Sequence, residues 1–180
     1  MKHRITRRSF LKLGLLVPVL PLPAFAGQLN SGERRLSLHN LHTGEKVDLP
    51  YWVEGDYVAE SLADISHVLR DHRTGQVAAI DPRLLDLLHR VNATVGASKP
   101  FEIISGYRSP ASNQLLTENS AGVAKRSLHM EGKAIDIRLP GIPLADLRQA
   151  GLQLKGGGVG YYPESNFVHL DVGRVRTWGG

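Results

Sequence analysis

Two segments of the chain alternate apolar and polar residues with a period of two, Lys133–Arg138 and Phe167–Val172. That period predicts β-strands. In the first, Ile135 and Ile137 point to one face, with Ala134, Asp136 and Arg138 on the other; in the second, Val168, Leu170 and Val172 oppose Phe167, His169 and Asp171. Arg35–Leu41 and Lys46–Trp52 flank Thr43-Gly44-Glu45, which predicts a β-hairpin with a short glycine turn. Phe101–Ser105 is a short apolar strand. Helical spacing marks four further segments. Val58, Leu62, Ile65 and Leu69 form one stripe over roughly 57–72, with Asp56 as its cap. Asp81-Pro82 starts a second helix, carried by Leu84, Leu85, Leu88, Val91 and Val95 and stopped by Gly96. Ala111–Asn119 and Pro143–Leu154 give the third and fourth, and Gly156-Gly157-Gly158 reads as a loop. Helices come early and between strands. This order favours an α+β fold: a small antiparallel sheet with helices mainly on one face, leaving the other face open.

Charge divides the chain unevenly. It holds 22 Lys+Arg against 17 Asp+Glu. Without Lys2, Arg4, Arg7, Arg8 and Lys12 the basic count falls to 17, equal to the acidic one. All five lie in the first 26 residues, ahead of an apolar run from Leu13 to Leu22 and of Ala24-Phe25-Ala26. A basic start, an apolar stretch and a small-x-small site make up a secretory signal. Pro18, Pro21 and Pro23 oppose the alternative of a helix packed on the domain. Thr6-Arg7-Arg8-Ser9-Phe10-Leu11-Lys12 resembles the twin-arginine signal, which passes folded proteins through the twin-arginine machinery to the periplasm. The expected organisation is therefore a signal over 1–26, a flexible tail over 27–35 and one domain over 36–180. A neutral mature chain gives no reason to expect a nucleic-acid partner. No run of 18 apolar residues predicts a stable membrane span after cleavage. The lack of cysteine excludes disulfides, thiol nucleophiles and cysteine metal ligands.

The candidate chemistry lies on the two alternating strands. If they are neighbours, Asp136 and His169 converge on the face away from the core, and His129 reaches them from the preceding loop. Two histidines and one aspartate make a three-ligand, open zinc site. His39, His42, His67, His72 and His89 have no comparable partner set and read as surface or hydrogen-bonding residues; His39 and His42 face opposite ways on their strand.

Ser127-x-His129-x(6)-Asp136, followed by a strand-borne His169, resembles the zinc D-Ala-D-Ala metallopeptidases, whose superfamily includes lysostaphin-type enzymes and the zinc domain of hedgehog proteins. Ile104–Ser109, Gly156–Pro163, Phe167–Asp171 and Leu41–Glu45 are similar, within that superfamily, to the exported murein endopeptidase K group. The resemblance implies one Zn2+ per chain on His129, Asp136 and His169. It implies substrate contacts from Arg108 and Ser127, and cleavage of peptidoglycan cross-links at D-Ala–diaminopimelate or diaminopimelate–diaminopimelate bridges. An arginine gripping a carboxylate suits that role because its planar fork forms two parallel hydrogen bonds. Ser127 equally suits a cap of its own loop.

One departure stands out. Related carboxypeptidases carry an acid three residues before the last ligand, and other branches a histidine two before it. Here those positions are Asn166 and Phe167. Asp171 shares the face of His169 and is the preferred base, or else a residue that orients a ligand. Glu131 and Glu164 are loop alternatives, and zinc-bound hydroxide acting with little help is another. The rival functions are a D,D-carboxypeptidase trimming terminal D-Ala and a non-catalytic, zinc-containing wall-binding module.

Overall fold

The computed structural model describes residues 32–119, 124 and 126–179. The signal expected over 1–26 lies outside them. The hairpin forms as its pattern predicts: β1 (Glu33–Asn40) and β2 (Lys46–Val53) pair antiparallel, with Gly44 at φ 76° in the turn. Strand β1 begins three residues earlier than the boundary set by polarity, within the expected tail. Arg34 is held there by the Trp52 ring at 4.3 Å and by Asp86 at 2.7 Å.

A correction follows at Asp56. It caps no helix: Asp56–Tyr57 is a two-residue strand, β3, paired antiparallel with β2. Glu54 and Gly55 both have positive φ, 51° and 108°, and that turn folds the chain straight back on itself. The first helix, α1 (Ala59–Val68), therefore starts later and is capped by Val58 without a side-chain hydrogen bond. Helix α2 (Pro82–Val95) obeys its signals, with Asp81 accepting from the Arg83 backbone N–H and Gly96 left-handed at φ 64°. Strand β4 (Phe101–Ser105), helix α3 (Pro110–Asn119), a 3-10 turn over Leu128–Glu131, strand β5 (Ala134–Arg138) and helix α4 (Leu144–Leu154) follow.

The C-terminal quarter holds more strand than its pattern predicts. Strand β6 (Gly158–Tyr162) begins inside the glycine run, and β8 (Arg176–Gly179) follows β7 (Phe167–Asp171). The fold is α+β as expected. Its sheet is larger than the small one anticipated, with eight strands in the order β3-β2-β1-β4-β5-β7-β6-β8. Most pairs are antiparallel, while β1 with β4 and β6 with β8 are parallel.

One face of this sheet makes the core. Leu36 and Leu38 of β1, Ile135 and Ile137 of β5, and Val168 and Leu170 of β7 pack with Ile65, Leu84, Leu88 and Leu147 from the helices. Each fully buried Leu or Ile contributes roughly 1.5–3 kcal/mol of transfer free energy. This burial fixes the register: a slip of one residue would turn Asp136 and His169 into the core. Among the described residues no helix is long and apolar enough to cross a membrane.

Candidate metal centre

Register brings the strand-borne candidate ligands together. Asp136 of β5 pairs directly with His169 of β7, both opposite the core-facing Ile135, Ile137, Val168 and Leu170. His129 enters from the 3-10 turn, whose N-cap is Ser127; the Ser127 hydroxyl accepts from the His129 backbone N–H at 3.3 Å. Three atoms then converge. His129 Nε2 lies 3.2 Å from His169 Nδ1, His169 Nδ1 lies 2.9 Å from Asp136 Oδ1, and His129 Nε2 lies 3.4 Å from the same oxygen.

Those spacings suit a metal ion. Tetrahedral bonds of about 2.0–2.1 Å place ligand atoms about 3.3 Å apart. The tautomers agree with that reading. His129 Nδ1 meets the Gly106 carbonyl at 2.7 Å, which can only accept, so Nδ1 carries the proton and Nε2 turns its lone pair to the site. His169 Nε2 meets Asp171 Oδ2 at 3.1 Å, which in the same way leaves Nδ1 as the lone-pair atom. Two lone pairs and a carboxylate oxygen therefore face one point. His129, Asp136 and His169 are also the one group of such residues, among those described, placed to hold an ion. Burial pushes the Asp136 carboxyl up, but His129 and His169 beside it outweigh that and hold it well below the usual carboxylate range. Burial pushes His169 down, and its bonds to Asp136 and Asp171 more than reverse this, so its imidazole lies above its ordinary value.

Asp171 sits behind His169 rather than beside the convergence point. It is fully buried, and both its oxygens are occupied. Oδ1 accepts from the backbone N–H of Gly158 at 2.9 Å and of Gly173 at 2.8 Å; Oδ2 accepts from Arg176 Nη2 at 2.7 Å. Burial alone would raise this carboxyl, but His169, the two backbone donors and Arg176 keep it well below the carboxylate range. Gly158 is needed here, since a Cβ would stand 2.4 Å from Asp171 Oδ2.

A cavity of about 410 Å³ opens over His129, Asp136 and His169, lined also by Arg108, Ser127, Tyr162, Phe167, Arg176 and Trp178. Arg108 is mostly buried yet poorly satisfied. Its guanidinium reaches Asn113 at 3.4 Å, Ser105 at 3.5 Å and Asp136 at 3.9 Å, and its Nε has no partner among the described residues. Burial lowers its pKa, opposed by Asp136. The loop alternatives lie elsewhere. Glu131 is exposed and pairs with Lys133 at 2.7 Å, and Glu164 is exposed in the β6–β7 turn, outside the cavity lining. Asn166 occupies the same turn at φ 54°, a conformation that asparagine tolerates better than most residues. The position at which the resemblance to carboxypeptidases leads one to expect an acid is thus an exposed turn residue here. Sequence reasoning missed Tyr162, Arg176 and Trp178. The available signal was an arginine and a tryptophan two apart, on one strand face, just after the last ligand strand.

The family model described as peptidoglycan L,D-endopeptidase MepK matches residues 28–178. The chain belongs to this family. A relative of that name from Escherichia coli (strain K12) is 44% identical over 180 residues, 98% of this chain and 99% of the relative. One from Shigella flexneri matches equally. One from Haemophilus influenzae, named as a probable peptidoglycan L,D-endopeptidase MepK, is 38% identical over 178 residues, 97% of this chain and 96% of the relative. The match to the MepK family spans every strand of the sheet up to Trp178 and all the cavity residues described above.

Proposed function

We propose that this chain is a zinc-dependent murein endopeptidase that cuts diaminopimelate–diaminopimelate cross-links in the periplasm. The observation that carries the reading is the convergence of His129 Nε2, Asp136 Oδ1 and His169 Nδ1 beneath an open cavity, in a chain of the MepK family. Relatives are named for an L,D linkage. Of the two bridge types considered, D-Ala–diaminopimelate joins two D centres, whereas diaminopimelate–diaminopimelate joins an L centre to a D centre. The second therefore fits the relatives' name.

His129, Asp136 and His169 would hold a zinc ion, which would supply an activated water and polarisation of the scissile carbonyl when bound. The protein's own groups do the rest. Asp171 holds the His169 ring and its tautomer, and the Gly106 carbonyl does the same for His129. Asp171 is better suited to this orienting role than to that of base, because its oxygens are already committed. Arg108, with donors left under-used beside the ligands, takes a diaminopimelate carboxylate. Ser127 borders the substrate while capping the turn that carries His129.

Digestion of purified muropeptide dimers tests the reading. Dimers joined through two diaminopimelates should become monomers, a chelator should stop the reaction, and zinc should restore it. Free D-Ala released without loss of dimers would instead mark a carboxypeptidase, and binding without cleavage would mark a wall-binding module. Arg108→Lys keeps the charge and loses the planar fork, so kcat/KM should fall by roughly 10- to 100-fold, the worth of a hydrogen bond to a charged group. An unchanged value would free Arg108 from substrate binding. Export belongs to the same proposal. Changing Arg7 and Arg8 together to Lys should leave a precursor in the cytoplasm, and normal periplasmic yield would defeat the twin-arginine route.

A further inference from the structure

Asn166 and Phe167 bring no protonatable side chain to the cavity. The neighbouring strand β6 offers a different group. Tyr162 pairs across β6 and β7 with Phe167, and their rings stack with centroids 4.6 Å apart. Gly160 pairs with His169 on one side and with Trp178 on the other. The Trp178 indole lies over Gly160, where a Cβ would stand 2.7 Å from the ring, and its centroid is 5.1 Å from that of His169. Its Nε1 reaches Tyr162 Oη at 2.7 Å.

That bond has only one possible direction, because an indole N–H donates and cannot accept. Tyr162 Oη is therefore the acceptor. Conjugation keeps a phenolic O–H close to the ring plane. An oxygen that accepts from the indole turns its own proton away from that N–H. No protein acceptor meets it among the described residues, although Tyr162 lines the same cavity as His129, Asp136 and His169. Stacking on Phe167 and the bond from Trp178 hold the ring on both flanks, so the donor is oriented before substrate arrives. Ser127 also presents a hydroxyl to the cavity, but it turns freely about its own C–O bond and serves the turn that carries His129.

We infer that the Tyr162 hydroxyl donates a hydrogen bond to the scissile carbonyl oxygen as that oxygen gains negative charge. The inference rests on the peptidase reading above. It adds a catalytic residue contributed by the cavity wall, with Trp178 and Phe167 as its positioning residues. No proton is transferred: the phenol stays neutral and acts through its dipole.

Tyr162→Phe removes one oxygen and keeps the stacking ring. In the zinc-loaded full chain, kcat should fall about 100-fold while KM changes less than about twofold, as expected for one donor lost from a charge-stabilising set. Zinc stoichiometry and Tm should match the parent. A phosphinate replacing the scissile amide of a diaminopimelate dipeptide mimics the charged oxygen, and its affinity should fall by a similar factor. Trp178→Phe keeps an aromatic wall but frees the phenol to rotate, so it should lower kcat by less than Tyr162→Phe. A Tyr162→Phe enzyme with kcat within about threefold of the parent overturns the inference. A loss of turnover that tracks a loss of zinc or of Tm also overturns it. A parent chain that leaves dimers intact would defeat the functional reading, yet the phosphinate titration would still decide the role of Tyr162: equal affinity in parent and variant refutes it, and weaker affinity in the variant upholds it.

Discussion

His42 and His72 lie ring on ring, with 3.7 Å between centroids and 8° between planes, whereas His129 and His169 meet edge on at 5.0 Å and 66°. The stacked pair is the closer of the two, yet among the described residues it belongs to no group placed to hold an ion. His42 Nε2 bonds to the Ile104 carbonyl at 3.0 Å, and His72 is pushed below its ordinary pKa by burial, then by His42 and Arg73. In the edge-on pair, Asp136 Oδ1 stands between the ring nitrogens, and the outer nitrogens are each tied to an acceptor. Proximity of two histidines therefore decides little. What separates the pairs is where the lone pairs point, and acceptors one layer further out set that direction.

The largest test removes one histidine of the edge-on pair or the carboxylate they share. His129→Ala, Asp136→Ala and His169→Ala should each bring zinc stoichiometry from one per chain toward zero and abolish dimer cleavage, because a three-ligand open site has no spare ligand. The double variant His42→Ala with His72→Ala should keep full zinc. Metal analysis of dialysed protein reads both. Zinc retained in a ligand variant would strike that residue from the site, and zinc lost from the double variant would erase the contrast between the pairs.

A smaller effect belongs to the outer layer. Asp171→Asn replaces one acceptor oxygen with an NH2 group facing N–H donors from His169, Arg176 or the backbone. His169 then loses the partner that keeps its proton on Nε2. Zinc affinity should drop by roughly 10- to 100-fold. Turnover should largely return once the variant is saturated with zinc. If Asp171 were instead the base, affinity would hold and turnover would stay low at any zinc concentration. Competitive chelator titration together with assays at saturating zinc separates the two.

The clustering of the candidate ligands was readable because the two strand-borne members obey a local rule. Alternation in β5 and β7 places Asp136 and His169 opposite the buried Ile135, Ile137, Val168 and Leu170. The outer layer obeys no local rule. Gly158 and Gly160 interrupt the apolar pattern of β6, and the reasons for them, Asp171 and Trp178, come from other strands. Strand β8 has four residues and pairs with β6 across β7's entire span of sequence, so nothing nearby announces it. Asp56 misled for the opposite reason. It is a good cap residue, but the positive φ of Glu54 and Gly55 had already committed the chain to a turn. Periodicity therefore revealed what faces the core. The groups that orient the ligands, and Tyr162 on the cavity wall, depend on register between distant segments.

The smallest expected effect tests the stacked pair itself. Burial disfavours the charged form of His72, and His42 and Arg73 add to this while Asp71 opposes it. The folded chain thus binds this proton less tightly than the unfolded chain does. As pH falls through the ordinary histidine range near 6.5, the unfolded chain takes up the proton first, so stability is lost. The loss levels off below the depressed folded-state pKa, and the contribution is fully present above the ordinary value. His72→Phe keeps a flat ring against His42 and removes this titration. Its Tm should decline less between pH 7.5 and pH 5 than that of the parent, both measured with zinc bound so that the metal ligands titrate alike. Equal declines in the two proteins would mean that the stack carries no charge-dependent cost, and the contrast between the two histidine pairs would then rest on geometry alone.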